Sequence, residues 1–227
     1  MKKAERGGRR PPDPEGELAL AGRALTVRRV PQQARSRQMV DRLLSAAATA
    51  FLETGFGDTT TNRIAELAGV SVGSLYQFFP HKAALLSELH LIWTRRLGAE
   101  LDVALAQPQR DLTDLVDGVL EVHARLQHES AGLLGFLLTR SQDTEPQFTV
   151  RRAVQERLEQ MALIRRPGSG AEDNRLMARM VIHISDALYT LGPRGAFDPQ
   201  VRGQVRLALL SYLGRLEAQP SAQADEA

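Results

Sequence analysis

The chain has 227 residues, with 29 Lys and Arg against 27 Asp and Glu, a formal net charge of +2 and no cysteine. This length suffices for one large domain or two modest ones. The lack of cysteine excludes disulfides, thiolate catalysis and cysteine-ligated metal clusters, and it fits a reducing cytoplasm. No apolar run approaches the roughly 20 residues needed to span a bilayer, and the N-terminus has no secretory signal pattern, so we expect a cytoplasmic protein with no membrane partner.

Charge is distributed unevenly along the chain. Residues 1–96 hold 15 Lys and Arg and 9 Asp and Glu, whereas residues 97–227 hold 14 and 18. This asymmetry favours a polyanionic partner for the N-terminal part alone. Residues 1–32 combine eight of the basic residues with Pro and Gly and lack sustained periodicity, which predicts a disordered basic extension. The extension is either an arm that lies along DNA phosphates or a minor groove, or a solvated segment without a partner.

Between residues 60 and 82, residues that typically begin or end helices follow one another closely. Helical periodicity begins at Gln33 and is predicted to close at Gly55, and Thr60 then offers an N-cap for a short helix that ends at Gly69. Glycine at that position supplies the positive φ that a helix C-terminus requires. A second short helix over 71–78 has Ser71 as its N-cap and is ended by Phe79-Pro80. The layout is that of a helix-turn-helix, whose second helix enters the major groove of DNA.

The rest of the chain also reads as helical. We predict helices at about 82–106, 111–128, 133–138, 146–165, 172–192 and 199–217, and no stretch shows sustained period-two alternation. The predicted fold is therefore all-α. A three-helix helix-turn-helix domain spans 33–80, and a six-helix bundle spans 81–218. The basic extension over 1–32 and a disordered tail over 219–227 flank them.

Residues 37–86 resemble the N-terminal domain of TetR-family transcriptional regulators. The matching positions are Ala47-Ala48, Phe51, Gly55-Phe56, Thr59-Thr60, Ile64-Ala65, Ala68-Gly69-Val70-Ser71, Gly73, Leu75-Tyr76, Phe78-Phe79, Lys82 and Leu85. The remainder is similar to the family only in helix number and length. The resemblance implies a repressor that binds a palindromic operator in double-stranded DNA as a homodimer and releases it when a small molecule enters the C-terminal domain.

The predicted DNA contacts cluster around the second helix of the motif. They are Thr60, Thr61, Arg63, Ser71, Val72, Gly73, Ser74, Tyr76, Gln77 and Lys82. Ser74 and Gln77 can reach base edges, and Gly73 permits close approach to DNA. Tyr76 resembles the family's phosphate-contacting tyrosine, and Lys82 is expected to place its ammonium on a phosphate. Val72 is open to a second interpretation, as a partly buried core residue. The helix presents no arginine to read guanine, so we expect phosphate contacts to supply most of the affinity.

The bundle carries two further expectations from the resemblance. The helices at about 172–192 and 199–217 are expected to form the homodimer interface, although their apolar faces could instead fill the monomer core. An effector cavity is expected between the fourth, fifth, seventh and eighth helices, and the many leucines and methionines favour an apolar effector. The polar and aromatic residues that could line it are His90, Trp93, His123, Phe136, Arg140, His183, Asp186 and Tyr189. Each of them could equally be an ordinary packed or surface residue.

Other classes of function have weaker support in the sequence. The chain has no glycine-rich phosphate loop, no G-x-S-x-G motif and no thiol, so we predict that it is not an enzyme, with a helical enzyme as a remote alternative. Its five histidines form neither a His-x-x-x-His pair nor a metalloprotease motif, so we predict no metal and no cofactor. The nearer alternative is a helix-turn-helix activator, or a regulator controlled by a protein partner instead of a small molecule.

Overall fold

The computed structural model describes residues 34–107, 110–139, 150–191 and 198–218. Every regular element in these ranges is an α-helix, as predicted. The helices are α1 Ala34–Asp58, α2 Thr61–Ala68, α3 Val72–Phe78, α4 Lys82–Ala104, α5 Leu112–Glu129, α6 Leu133–Thr139, α7 Val150–Arg165, α8 Ala171–Thr190 and α9 Pro199–Glu217. The predicted basic extension over 1–32, the tail over 219–227 and the predicted ligand residue Arg140 lie outside the described residues.

The helix α1 differs from its prediction at the C-terminal end. Gly55 interrupts it with φ 79° and ψ 166°, but helical backbone resumes for one more turn, to Asp58. The buried hydroxyl of Thr59 lies 3.1 Å from the carbonyl oxygen of Ala50 and 2.6 Å from that of Gly55. The buried Thr59 side chain therefore stabilises the interruption of the helix at Gly55. The sequence indicated the glycine break but not the turn that follows it.

The turn between α2 and α3 follows the helix-end rules closely. The Thr60 hydroxyl accepts a hydrogen bond from the Arg63 N–H at 3.2 Å and so caps α2. Gly69 has φ 63° and ψ 42°, its N–H donates to the Glu66 carbonyl, and the Val70 N–H donates to the Ala65 carbonyl, both at 3.0 Å. This is the Schellman arrangement, which requires a left-handed residue at that position.

Two apolar cores run through the described residues. The first joins α1–α3 to α4 and α6, and its members with no measurable exposure include Phe51, Ile64, Leu75, Leu85 and Leu134. The second lies between α5, α7, α8 and α9 and includes the buried residues Val116, Leu120, Ala162, Met177, Val181, Leu188, Val205 and Leu209. The helix-turn-helix is thus packed directly on the bundle and not tethered to it by a linker.

The helix α4 spans the distance between the two regions. Its 23 residues correspond to a length of about 34 Å. Its first residue, Lys82, contacts the end of α1, and Leu105, just after its last turn, lines a cavity in the second core. In the described ranges, no helix combines the length and apolar content that crossing a membrane requires.

Candidate nucleic-acid interface and bundle cavities

The short helix α3 divides cleanly into a buried side and an exposed side. Ser71 caps its N-terminus by accepting a hydrogen bond from the Ser74 N–H at 3.0 Å. Leu75 and Phe78 are buried, whereas Tyr76 and Gln77 are exposed. The exposed side is therefore polar and carries side chains that can donate and accept hydrogen bonds, which suits contact with base edges and phosphates.

The remaining members of the predicted α3 site occupy its edge. Gly73 is exposed and has space around it, because a Cβ there would meet only the Ser71 hydroxyl, at 3.8 Å. Ser74 is half-buried, and its hydroxyl lies 2.8 Å from that of Ser71. Val72 is partly buried against the first core, in keeping with the second interpretation given to it above.

Tyr76 connects α3 to the beginning of α2. Its hydroxyl lies 3.1 Å from the Thr61 hydroxyl, and 41% of the residue is exposed. Thr61 is the first residue of α2, where backbone N–H groups lack intrahelical partners and the helix dipole favours anions. The structure thus places three predicted residues, Thr60, Thr61 and Tyr76, on neighbouring parts of the same surface.

Arg63 extends this surface with a positive charge. Its guanidinium lies 3.2 Å from Glu66 and 3.4 Å from Glu53, and these hydrogen bonds, to Glu66 first, raise its pKa above the ordinary arginine value. All three side chains are well exposed. Surface ion pairs of this kind contribute little to stability, so the guanidinium can exchange a carboxylate for a phosphate at small cost.

Lys82, predicted to contact a phosphate, bonds to backbone carbonyl oxygens in the structure. Its Nζ donates to the carbonyl oxygens of Phe56 at 2.6 Å, Gly57 at 2.7 Å and Thr59 at 2.8 Å, and it lies 4.8 Å from the centre of the Phe56 ring. An ammonium group has three N–H donors, and all three are used here. Lys82 therefore caps the C-terminal turn of α1, and a direct phosphate contact would require one of these bonds to open.

Three of the predicted ligand residues meet in one cavity, which we call the polar chamber. It holds about 340 Å³ of empty space, mouth included, between α5, α6, α7 and α8. Its lining is His123, Leu138, Arg151, Val154, Leu158, Val181, Ile182, Ser185, Asp186 and Tyr189. The cavity predicted from the sequence lies between α4, α5, α7 and α8, whereas the observed cavity is bordered by α6 in place of α4.

The polar groups of the polar chamber are paired with one another. The His123 Nδ1 lies 2.5 Å from the Tyr189 hydroxyl. Burial lowers the pKa of His123 to about 4, and burial, with a smaller contribution from Asp186, raises the pKa of Tyr189. Arg151 binds both carboxylate oxygens of Asp186, at 3.0 and 2.8 Å. His183 stands exposed at the rim, with its Nδ1 3.2 Å from Arg151 Nη2.

The other predicted ligand residues belong to the first core. Phe136 stacks on Phe51 with ring centres 6.2 Å apart, and Trp93 packs against the core with the Arg96 guanidinium 5.1 Å from its ring. His90 is fully buried, both of its ring nitrogens lack hydrogen-bond partners, and burial lowers its pKa to about 4. None of the three lines the polar chamber or the second cavity described next.

A second cavity, the distal cavity, was not predicted from the sequence. It holds about 660 Å³ of empty space, mouth included, and is lined by Leu105, Leu112, Leu115, Val116, Val119, Leu158, Met161, Ala162, Arg165, Arg166, Met177, Val181, Leu209, Leu213 and Glu217. Its apolar residues are indistinguishable in sequence from core residues. The only signal was the pair Arg165-Arg166 at the end of an apolar helix face. Nowhere in the described ranges do three or more His, Asp or Glu side chains converge as metal ligands would.

Comparison with known proteins places this arrangement among transcriptional regulators. Residues 43–89 match the family model described as bacterial regulatory proteins, tetR family. A TetR-family transcriptional regulator from Streptomyces coelicolor is 23% identical, with 78% of this chain and 98% of that chain covered and a TM-score of 0.57. PfmR, a TetR family transcriptional regulator from Thermus thermophilus, is also 23% identical, covering 75% and 98% with a TM-score of 0.58.

A TetR transcriptional regulator from Legionella pneumophila is 16% identical, covering 81% of this chain and 99% of that chain with a TM-score of 0.60. No curated protein matches the sequence. At these identities the solved structures show a shared fold through both the helix-turn-helix and the bundle, and the family model identifies the helix-turn-helix itself.

Proposed function

Because this chain belongs to the TetR family of transcriptional regulators, identified by its DNA-binding domain at residues 43–89, we propose that it is a cytoplasmic repressor. It binds a palindromic operator as a homodimer and releases the DNA when a small apolar molecule enters the bundle. The observation that carries the DNA-binding part is the polar, exposed side of α3, continuous with the N-terminus of α2 and fixed from behind by the buried Leu75 and Phe78.

Different residues of this surface have different tasks in the proposal. Gln77 and Ser74 read base edges in the major groove, because amide and hydroxyl groups can pair with base donors and acceptors. Tyr76, Thr61 and Arg63 bind phosphates and set the register of α3 on the duplex. Lys82 acts mainly by keeping the end of α1 closed beside this surface.

Dimerisation is supported by apolar surface on the last two helices. Leu176 and Met180, one turn apart on α8, are 49% and 39% exposed, and Leu207 on α9 is 60% exposed. Next to Leu207 along α9 lie Gly203 and Ser211, both exposed and small enough to let a second helix approach. Apolar side chains at helical spacing, exposed in a single chain, are typical of a surface that is covered in the assembly.

Effector release is supported by the position of α4. This helix packs against α5 and α7, whose residues line both cavities, and also against α1 of the DNA-binding domain. A molecule that displaces Leu105 at one end of α4 therefore acts on a rigid element whose other end is bonded through Lys82 to α1. The spacing of the two α3 helices in the dimer changes, and the operator no longer fits both of them.

DNA binding is tested by titrating the full chain into labelled duplexes from upstream of its own gene and measuring fluorescence anisotropy at several salt concentrations. Arg63→Gln should weaken binding to every duplex and reduce the slope of log K against log salt by roughly 1 per half-site. Gln77→Ala should cost about 1–3 kcal/mol at one base position only. Arg95→Gln, an exposed charge on α4 distant from α3, is the matched control and should leave both quantities unchanged. Equal binding of the wild type to all duplexes at low and high salt would contradict the proposal.

The dimer is tested by sedimentation of charge-insertion variants. Leu207→Glu should shift the chain from dimer to monomer and weaken operator binding at least about tenfold, because two linked α3 helices bind far more tightly than one. Val103→Glu is the control, since Val103 is an exposed apolar residue on α4 at 76% exposure. Identical sedimentation of the wild type and both variants would exclude α9 as the interface.

A further inference from the structure

The distal cavity is apolar along its walls and charged at one end. Its lining includes Arg165, Arg166 and Glu217, and every other lining side chain is aliphatic or methionine. The two arginines follow each other at the C-terminus of α7 and the beginning of the turn after it. The charged end therefore decides which class of molecule the cavity accepts.

Arg165 is already satisfied within the protein. It forms a salt bridge with Glu217, with Nη2 and Oε2 3.0 Å apart, and its Nη1 donates to the Arg110 carbonyl at 2.7 Å. The hydrogen bond to Glu217 is the main cause of its raised pKa. A ligand that used Arg165 would have to displace a carboxylate from it, so Arg165 is the poorer anchor.

Arg166 is not satisfied. Its Nη1 is buried and has no hydrogen-bond partner, and none of the salt bridges among the described residues includes it. The Arg166 charge acts on the Tyr212 phenol, whose pKa is raised by burial and lowered to a smaller extent by this charge. A buried donor on a cationic group is costly without an acceptor. The charge and the unpartnered donor together favour an anionic oxygen at this end of the cavity.

The polar chamber lies next to the distal cavity, but the charged and polar groups in its lining already have hydrogen-bond partners. Leu158 and Val181 line both cavities and so form the wall between them. In the polar chamber, His123 is bonded to Tyr189, Arg151 to Asp186, and Ser185 to the Val181 carbonyl. A head group placed there would have to break existing bonds, whereas one at Arg166 supplies a missing bond.

We propose that the distal cavity binds an apolar monocarboxylate, with its hydrocarbon part between α5, α7, α8 and α9 and its carboxylate accepting a hydrogen bond from Arg166 Nη1. One negative charge fits one unpaired guanidinium. A dianionic head group would bring its second charge close to Glu217, which lines the same end of the cavity. The inference rests on the proposed function only in taking this molecule to be the effector.

The test compares three ten-carbon probes that share a chain and differ in the head group: decanoate, 1-decanol and decylamine. Each is titrated below its aggregation concentration into the full chain by calorimetry at pH 7.5. Decanoate should bind at least about tenfold more tightly than decanol, because the carboxylate adds charge–charge attraction to a hydrogen bond that the alcohol oxygen can also accept. Decylamine should bind most weakly, because its ammonium is repelled by the guanidinium. Equal affinity for all three, or preference for the amine, would overturn the assignment.

Variants locate the site. Arg166→Met keeps an unbranched side chain but removes the charge and the donor. It should abolish the preference for decanoate over decanol and weaken decanoate binding much more than decanol binding. Val119→Phe fills the cavity and should weaken both probes. Arg215→Met removes an exposed charge in the last turn of α9, outside the cavity, and should change neither. Retained decanoate preference in Arg166→Met would overturn the role of Arg166.

A second readout separates this inference from the proposed function. Decanoate is added to the complex of the protein with its operator, and release is followed by anisotropy. Binding that depends on Arg166 and dissociates the complex supports both proposals. Binding that depends on Arg166 but leaves the complex intact supports the ligand assignment and overturns effector release. Release of DNA by decanol and decanoate alike, in wild type and Arg166→Met, overturns the ligand assignment and supports effector release.

Discussion

The DNA-binding domain and the far end of the bundle differ in how completely their buried polar groups are hydrogen-bonded and in how much empty space they contain. Between residues 34 and 80 the buried polar side chain of Thr59 is fully bonded, and long basic side chains from Arg42 and Lys82 satisfy the carbonyls at two chain turns. At the far end of the bundle, empty apolar space remains in the distal cavity, and Arg166 Nη1, on its lining, has no partner. Asn174 Nδ2, in the first turn of α8, is also buried without a partner.

This difference agrees with the functions proposed for the two regions. A surface that reads DNA must hold its side chains in one geometry, and saturated hydrogen bonding with close packing provides that rigidity. A region that accepts a small molecule must keep unfilled volume and unsatisfied donors, both of which reduce the stability of the free protein. The described residues with buried, unpartnered side-chain atoms are His90, Arg166 and Asn174, and all of them belong to the bundle or the turn after α7.

The largest expected effect is a pH dependence that arises in the bundle alone. His90 and His123 are buried, and burial lowers the pKa of each from 6.5 to about 4. In the unfolded chain both take up protons below pH 6.5, whereas the folded chain resists until about pH 4. The free energy of unfolding should therefore be highest above pH 6.5 and fall as the pH drops from 6.5 to 4, by roughly 3 kcal/mol for each histidine.

Urea unfolding at pH 7.5, 6 and 5, followed by the fluorescence of Trp93, the chain's only tryptophan, measures this loss. His90→Leu should remove about half of the pH dependence and cost little at pH 7.5, because the ring nitrogens it removes have no partners to lose. A wild-type free energy of unfolding that stays constant from pH 7.5 to 5 would show that the bundle is not the acid-sensitive region.

The second prediction concerns Lys82 and the rigidity of the DNA-binding domain. Lys82→Met removes three hydrogen bonds from a cationic donor to the end of α1 and should lower the free energy of unfolding by about 2–3 kcal/mol, since the freed carbonyls recover water only in part. Arg95→Met removes an exposed charge from the same helix and should change stability by less than about 0.5 kcal/mol. Urea unfolding followed by circular dichroism compares them.

The outcome also decides between two roles for Lys82. If Lys82→Met were as stable as the wild type but bound DNA with a reduced salt dependence, the phosphate contact predicted from the sequence would be right and the capping role minor. Reduced stability with an unchanged salt slope would establish the capping role.

Local rules explain why the sequence predicted the helix-turn-helix so closely. The N-caps Thr60 and Ser71 and the glycine at 69 each act within three or four residues, so their effects can be read without a structure. Lys82, by contrast, bonds to carbonyls that lie 23 to 26 residues earlier in the chain. The lysine was visible in the sequence, but its partners were backbone atoms that carry no sequence signal.

The bundle cavities were less predictable for a related reason. His123, Asp186 and Tyr189 were predicted as ligand residues, and the structure gathers them in one cavity but bonds them to other protein groups. Arg166 was not predicted, because an arginine at a helix end is ordinarily solvated. Whether a leucine fills a core or borders empty space depends on how distant helices meet, which helical periodicity does not encode.

The smallest expected effects come from replacing a glycine by alanine in each of the two regions. The two changes in the free energy of unfolding should have opposite signs. Gly69→Ala places a Cβ on a residue with φ 63° and brings it to 3.2 Å from Arg42 Nη2, so it should destabilise the protein by about 1–2 kcal/mol. Gly118→Ala, inside α5, meets nothing within 4 Å and should stabilise it by about 0.5–1 kcal/mol through helix propensity. Thermal unfolding at one scan rate measures both. If Gly69→Ala were stabilising, the turn before α3 would be as free to adjust its backbone as the bundle is. The proposed contrast between a rigid DNA-binding surface and an adaptable cavity would then be wrong at the residue on which the position of α3 most depends.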